Sequence, residues 1–501
     1  MKNILEYLEH SALCCPDKIA VIDETSSCTY RELERTCRSV GTALSKHITV
    51  GQPVAVLMEK GIPGLAAFWG IVYAGGCYVL LNPELPTPRL KQIQAVLQAE
   101  YVITDAPHAE LATELFPTEA VLQLNELRKE AVDIICLRRV RDKTIDTDPL
   151  YANFTSGSTG VPKGVVVSHR SVIDFIEAFT DIFQFKATDV FGNQAPFDFD
   201  VSVKDIYTSA KVGGTLVIIP KSFFSRPREL LDWICEKHIT VMIWAVSALC
   251  LISVFHGLDY RIPDSVRKIL FSGEVMPEKH LRVWMEHLPD AQFVNLYGPT
   301  EITCNCTYHT IDRAADYSNG IPIGRSFPNE RVFLLDVDAQ EVNTPGITGE
   351  ICVCGTALAL GYYRSPQQTD SVFVQNPLNS RYPERIYKTG DLGKYLDNGE
   401  LMFCGRKDFQ IKYMGHRIEL EEIERAIANI PGVDRCCCVF DAEKERLYGF
   451  YTGSPEQSDL RSQLAEFLPV YMVPRTLYRI DSFPLNKNGK IDRKQLLDRK
   501  E

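Results

Sequence analysis

The chain has 501 residues, 45% hydrophobic and 24% charged. That is ordinary globular usage, enough for about three folding units, and it excludes a disordered, collagenous or fibrous chain. The 54 basic and 65 acidic residues give a net charge of −11, so no global basic field for nucleic acid is expected. No run approaches the ~20 apolar residues of a membrane span. Charges at Glu6, Glu9, Asp17 and Lys18 interrupt any signal-peptide core, and a cytoplasmic location is expected. The sixteen cysteines include no CxxC pair of the zinc type. Reduced thiols, mostly buried, are the expectation.

Short apolar strands alternate with helices along the chain, which predicts an α/β fold. Val54 to Met58 reads as a buried strand, Pro63 to Gly75 as the helix after it, and Cys77 to Leu81 as the next strand. The apolar end Leu150 to Phe154 opens into a Gly- and hydroxyl-rich loop. Strands follow at Gly214 to Pro220, Val241 to Trp244, Lys268 to Phe271 and Gln292 to Leu296. Between Arg331 and Cys354 the strands shorten around the turn Asn343-Thr344-Pro345-Gly346, as in a small β-barrel. Beyond Gly405 the order is strand (Gln410 to Tyr413), helix (Glu419 to Ala428), strand (Arg435 to Phe440), helix (Asp459 to Phe467). That suits a small α+β domain. The expected division is a large N-terminal α/β domain, 1–405, and a small mobile C-terminal domain, 406–501. Their joint is Gly405-Arg406-Lys407-Asp408.

The most informative string is Thr155-Ser156-Gly157-Ser158-Thr159-Gly160-Val161-Pro162-Lys163-Gly164. Three glycines permit positive φ and close backbone approach, so several N–H groups can converge on an anion. Four hydroxyls add donors and Lys163 adds a charge. The spacing is not that of a GxxxxGK[ST] loop. In isolation the string could also be a flexible surface loop.

The string resembles the phosphate loop of adenylate-forming, AMP-binding enzymes: acyl-CoA synthetases, luciferases and amino-acid adenylation domains. The likeness covers nearly the whole chain, because further motifs follow in order. They are Asn295-Leu296-Tyr297-Gly298-Pro299-Thr300-Glu301, Gly349-Glu350-Ile351, Tyr387-Lys388-Thr389-Gly390-Asp391, Gly405 to Lys412, and Asn488-Gly489-Lys490-Ile491-Asp492. Within the family the chain is similar to stand-alone D-alanine–carrier protein ligases and to nonribosomal peptide synthetase adenylation domains.

The resemblance implies ATP and Mg²⁺ as cofactors and assigns roles. Thr155, Ser156, Gly157, Ser158, Thr159, Gly160 and Lys163 would hold phosphates, and Glu301 would bind Mg²⁺. Asn295, Leu296, Tyr297, Gly298 and Thr300 would contact the nucleotide, as would Gly273, Glu274 and Arg406. Tyr297 offers a flat face to adenine, and Asp391 can accept both ribose hydroxyls. Lys490 would reach the reacting carboxylate and α-phosphate, joining Thr155 and Glu301 as the catalytic set. Asp408 would be a hinge.

For the substrate, Asp200 matches the aspartate that pairs with an amino acid's α-ammonium. By its sequence alone it could equally cap the helix that follows. Val201, Lys204, Ser247, Leu270, Ser272, Leu296, Cys304 and Asn305 match the side-chain pocket. Small or polar residues narrowed by Leu270 and Leu296 imply a small, polar amino acid, serine first. If Lys204 points inward, aspartate enters; otherwise its head snorkels to water. Ser272 departs from D-alanine–carrier protein ligases, which have cysteine there. The implied partner is a separate phosphopantetheinylated carrier protein, with the basic tail Lys487 to Lys500 as one candidate contact. The rival readings are an acyl- or aryl-CoA ligase and a catalytically silent nucleotide-binding partner.

Overall fold

The computed structural model describes residues 1–157, 160–442, 444–484 and 491–498. The chain divides into two compact units. One comprises 1–82, 99–153 and 164–407; the other comprises 83–98, 154–163 and 408–501.

The larger unit is mixed α/β. Its nine-stranded sheet has a parallel centre, in the spatial order Gln292–Tyr297, Lys268–Ser272, Val241–Ala245, Val190–Asn193, Thr215–Ile218, Ile19–Ile22. Antiparallel strands close both edges. Val241–Ala245 is buried at all five positions, as a strand covered on both faces must be. A seven-stranded sheet contains Pro53–Leu57 and Cys77–Leu81, close to their expected bounds. Between them runs the helix Ile62–Tyr73, with Pro63 in its first turn, where a missing N–H costs nothing. The helix Tyr30–Leu44 starts on a capping box, Thr29 with Glu32. One apolar cluster takes side chains from both sheets, among them Val54, Val56, Leu216, Ile243 and Leu270. Tyr78 and Tyr207 lie in it, with their hydroxyls bonded at 2.8 Å.

The expected small barrel takes the form of a five-stranded antiparallel sheet. Its long strand Arg385–Tyr395 pairs with Thr348–Gly355, Phe373–Gln375 and Leu401–Arg406.

The smaller unit holds the helix Thr87–Leu97, the loop region 154–163 and the C-terminal segment. Gln410–Tyr413 and His416–Glu419 form a hairpin. Its two turn residues, Met414 and Gly415, both have positive φ, as a tight hairpin of this twist requires. The helix Leu420–Ala428 buries Leu420, Ile423 and Ile427, one helical stripe. It belongs to a core with Leu460, Leu464 and Leu477. Among the described residues no helix is long and apolar enough to cross a membrane. All sixteen cysteines are free thiols.

Candidate functional site

In an open parallel sheet, ligands sit beyond the carboxyl ends of the strands. Two of the sequence-predicted segments, Ser272 to Glu274 and Asn295 to Glu301, lie there. Ala245 is in register with Ser272, the last residue of its strand, and Phe271 with Asn295. Alternation along the strands sends Leu270, Val294 and Leu296 into the cluster shared by both sheets, while Phe271 and Phe293 face a second core. Gly298 follows the strand Gln292–Tyr297 directly. A Cβ there would lie 2.4 Å from the Asn305 Cα, so only glycine fits. Thr303 and Cys304, just beyond, both adopt positive φ, an uncommon conformation for such residues.

Asp200 occupies the N-cap position of the helix Val201–Val212, yet its side chain makes no capping bond. The carboxyl is buried, and Cys304 Sγ donates to the Asp200 carbonyl at 3.1 Å. Lys204, one turn on, does not snorkel. Its helix is buried on all sides, and Lys204 itself is 0% exposed. The ammonium donates to Asn305 Oδ1 at 2.7 Å and to Ser272 Oγ at 3.3 Å. Desolvation lowers the pKa of this amine, while Cys304, Asp200 and Asp205 oppose the shift. Val201, Leu270, Ser272, Leu296, Cys304 and Asn305 are all buried. Ser247 is half-buried, and its N–H donates to Glu274 Oε2 at 3.1 Å. Gly273, between Ser272 and Glu274, has φ +98°.

Three residues that the sequence reading left out belong to this cluster. The Tyr151 hydroxyl is buried near Asp200 and Cys304, with no hydrogen-bond partner among the described residues. Asp205 is fully buried and accepts from Asn193 Nδ2 at 3.0 Å. Burial pushes its carboxyl up to about 7, against the Asn193 bond and the Lys204 and Lys60 charges. The available signal was a helix, VSVKDIYTSAKV, with no apolar stripe, which marks burial on all sides.

The nucleotide candidates form a second group in the same unit. Asp391 is buried at 2% exposure, pairs with Arg406, and accepts from the Tyr297 hydroxyl at 2.6 Å. Asn295 Nδ2 donates to the Pro322 carbonyl at 2.8 Å. Thr300 begins the short 3₁₀ turn Thr300–Ile302 that carries Glu301. Glu301 is fully buried, and its Oε1 accepts from the Tyr362 hydroxyl at 2.7 Å. Tyr362 is a positioning partner that the sequence motifs did not reveal. Among the described residues no group of three or more His, Cys, Asp or Glu could hold a metal alone. One carboxylate completed by substrate phosphates fits Mg²⁺.

In the smaller unit, Thr155 ends the strand Pro149–Thr155, and its buried hydroxyl has no hydrogen-bond partner among the described residues. Ser156 Oγ donates to the Arg417 carbonyl at 2.6 Å. Gly160 N–H donates to the Gly157 carbonyl at 2.8 Å, with Gly160 at φ +79°. Lys163 starts the next strand, Lys163–Ser168. A buried hydroxyl without a partner beside turning N–H groups suits an anion. Asp408 is the first residue of the C-terminal segment, and its Oδ1 accepts from Gln410 N–H at 3.2 Å. Ser158, Thr159 and Lys490 lie outside the described residues. Of the basic tail, Arg493 is tied down: it donates to Glu424 at 2.7 Å and lies over the Phe409 ring at 3.8 Å.

Comparison with known proteins bears on this arrangement. The family model described as "AMP-binding enzyme" matches residues 8–363, and the one for the AMP-binding enzyme C-terminal domain matches residues 422–490. Zwittermicin A synthase ZmaJ of Bacillus cereus is 31% identical over 98% of this chain and 94% of its own length. Bacitracin synthase 1 of Bacillus licheniformis is 32% identical over 99% of this chain but 9% of its own length. The chain likewise spans under a fifth of the mycosubtilin and surfactin synthase polypeptides of Bacillus subtilis that it matches. The crystal structure of the Vibrio cholerae adenylation domain AlmE, in complex with glycyl-adenosine-5'-phosphate, shares the fold. Its TM-score is 0.86 at 23% identity, covering 99% of this chain and 97% of that one.

Proposed function

The chain belongs to the AMP-binding enzyme family, and on that footing we propose that it activates a small amino acid with ATP. The substrate carboxylate attacks the α-phosphorus, the bond to pyrophosphate breaks, and an aminoacyl-adenylate remains. The thiol of a phosphopantetheine arm on a separate carrier protein then attacks the acyl carbon and expels AMP. Both steps put negative charge on oxygen, so positioning and fixed opposite charge carry the catalysis.

The observation that carries this reading is the pairing of buried charges around Asp200 and Lys204. A substrate ammonium would add a cation beside the buried Asp200 carboxyl, and the Lys204 nitrogen with its Asn305 and Ser272 partners makes the site polar where a fatty acyl chain would be apolar. Once the ammonium sits on Asp200, the Lys204 charge needs an acceptor from the substrate side chain. Its own hydrogen bonds go to the neutral Ser272 and Asn305. An inward Lys204 therefore changes the order of substrates: aspartate stands before serine, with alanine and cysteine behind. The unpartnered Tyr151 hydroxyl offers one further donor to the bound molecule.

Asp391 would accept the ribose hydroxyls, with Tyr297 and Arg406 holding it. Thr155, Ser156, Gly157, Gly160 and Lys163 would cradle phosphate. Glu301 would hold Mg²⁺, which when bound neutralises phosphate charge. Lys490 would bring a mobile charge to the reacting oxygens, and Asp408 would turn between the two half-reactions.

ATP–pyrophosphate exchange across the twenty amino acids, their D-forms, and a panel of fatty and aryl acids tests the reading. The strongest exchange is expected with a short side chain that ends in an acceptor. Strongest exchange with a large aromatic or aliphatic amino acid, or with an acid lacking an amino group, would overturn it.

A further inference from the structure

Glu350, in the motif Gly349-Glu350-Ile351, matches neither the nucleotide nor the amino-acid contacts. Its surroundings nevertheless connect two of the proposed working parts. The strand Arg385–Tyr395 is irregular where it runs beside Thr348–Gly355. Glu350 faces Leu392 and Cys352 faces Lys388, so four steps on one strand span two on the other. Thr389, Gly390 and Asp391 there stand opposite Ile351 alone, a surplus of two residues. Gly390 has φ +75°, a left-handed conformation that glycine adopts without strain. A bulge of this kind re-aims a side chain and leaves backbone groups without ladder partners.

Glu350 satisfies one of those groups. Its Oε1 accepts from Gly390 N–H at 3.2 Å. The Gly390 carbonyl in turn accepts from the Lys407 N–H at 3.0 Å. The Lys407 ammonium closes the loop on the same carboxylate, and Lys388 adds a second ammonium at 3.3 Å. The Glu350 side chain is 11% exposed, but Lys407 is about half exposed, so the Gly390 bond is better shielded than the ion pairs. Two further bonds brace the bulge: Thr389 Oγ1 donates to the Ile351 carbonyl at 2.8 Å, and Asp391 N–H donates to Thr389 Oγ1 at 3.0 Å. Lys407 is thus held by both its backbone and its side chain, one residue before Asp408.

We propose that Glu350 is a positioning residue that anchors two things at once, the bulge presenting Asp391 and the fixed end of the chain at Lys407. It touches no substrate atom and acts through Gly390 and Lys407. The inference rests on the reading of Asp391 as the nucleotide contact and Asp408 as the hinge. It adds that both are referred to one carboxylate, so that the turn begins at Asp408 and not earlier.

Two measurements on the full chain test it: hydrogen exchange of the peptides carrying Gly390 and Lys407, and the Kd for ATP by equilibrium dialysis. Glu350→Ala is expected to speed exchange at both amides by tenfold or more and to weaken ATP binding about tenfold, the scale of one lost charge-assisted bond. Glu350→Gln keeps an acceptor for Gly390 and loses the charge. It should loosen Lys407 while leaving Gly390 protected. Lys407→Met removes only the ion pair and should resemble Glu350→Gln, which keeps the test open if the alanine variant does not fold. Unchanged protection at Gly390 and Lys407 in all three variants would overturn the anchor. Faster exchange with an ATP Kd within twofold of the parent would overturn its role in presenting Asp391. If the parent binds no ATP at all, the nucleotide reading fails, and the exchange data still decide whether Glu350 holds the two segments.

Discussion

Asp391 and Glu330 are both carboxyl groups buried in the five-stranded sheet, at 2% and 8% exposure. One has a cation and the other does not. Asp391 pairs with the Arg406 guanidinium and accepts from Tyr297. Glu330 accepts from the Ala357 N–H at 2.8 Å through one oxygen, and its other oxygen has no hydrogen-bond partner among the described residues. Its charged neighbour is a second carboxylate, Asp174. Burial, reinforced by Asp174, pushes Glu330 up to about 8 against the Ala357 bond, so at pH 7 it is mostly the neutral acid. Burial without a cation raises the pKa of a carboxyl group, as at Glu330, whereas Asp391 lies against a guanidinium. Lys204 shows the same competition with the sign reversed: burial disfavours its charge, Cys304, Asp200 and Asp205 favour it, and its nitrogen is hydrogen-bonded to the neutral Asn305 and Ser272.

The largest effect should come from removing that charge. A pocket built around a polar group rejects an analogue lacking the partner by ~10⁴-fold, whereas an apolar pocket discriminates by ~10²-fold or less. The parent should therefore prefer an acceptor-bearing side chain over alanine by about 10³-fold or more in kcat/KM. Lys204→Met keeps the length and removes the charge, and should collapse the preference to about tenfold. A preference that survives the substitution would remove Lys204 from the specificity pocket.

In the proposed function Lys490 would be the opposite arrangement, a charge brought to the reaction instead of one built into a core. Lys490→Ala should slow adenylation about 10²-fold, the scale for one preorganised donor, and barely affect transfer from preformed adenylate. Single-turnover assays of each half-reaction separate the two. Normal adenylation by the variant would return Lys490 to the surface charges.

A smaller effect is expected from making Asp391 resemble Glu330. Arg406→Met strips its cation and should weaken ATP binding about tenfold, while the KM of the amino acid stays within twofold. Equal loss of both affinities would mean that the pair supports the whole unit and not the nucleotide group.

Much of the fold was legible because apolar runs announce buried strands. Cys77–Leu81 and Gln410–Tyr413 occupy the residues expected of them. The string Thr155 to Gly164 stands out in the sequence by its glycines and hydroxyls. The direction of Lys204 was not, because a helix buried on all sides has no polar face to orient it. The bulge at Thr389 to Asp391 leaves no periodicity signal, and its brace, Glu350, lies 40 residues away from Gly390. Tyr362, on Glu301, is 61 residues distant. Such partners are set by tertiary packing, which local patterns do not encode.

The smallest effect isolates the uncharged side of the comparison. Glu330 ionises near 4.3 in the unfolded chain and at about 8 in the folded one. Between those values the folded state holds a proton that the unfolded state has released. The stability this group contributes is therefore fully present below about pH 4.3 and is lost as pH rises towards 8. Glu330→Gln mimics the neutral acid at every pH and removes that dependence. Relative to the parent, the variant should gain little at pH 5 and more at pH 8.5, on the order of 1–3 kcal/mol after relaxation and water entry are allowed for. In a unit of this size that is a rise in apparent Tm of roughly 1–2 °C per kcal/mol. The matching change Asp391→Asn breaks an ion pair and should lower Tm at both pH values. A Glu330→Gln difference that is identical at pH 5 and pH 8.5 would mean that Glu330 is charged in the fold. The contrast between paired and unpaired carboxyl groups would then fail where it is cleanest.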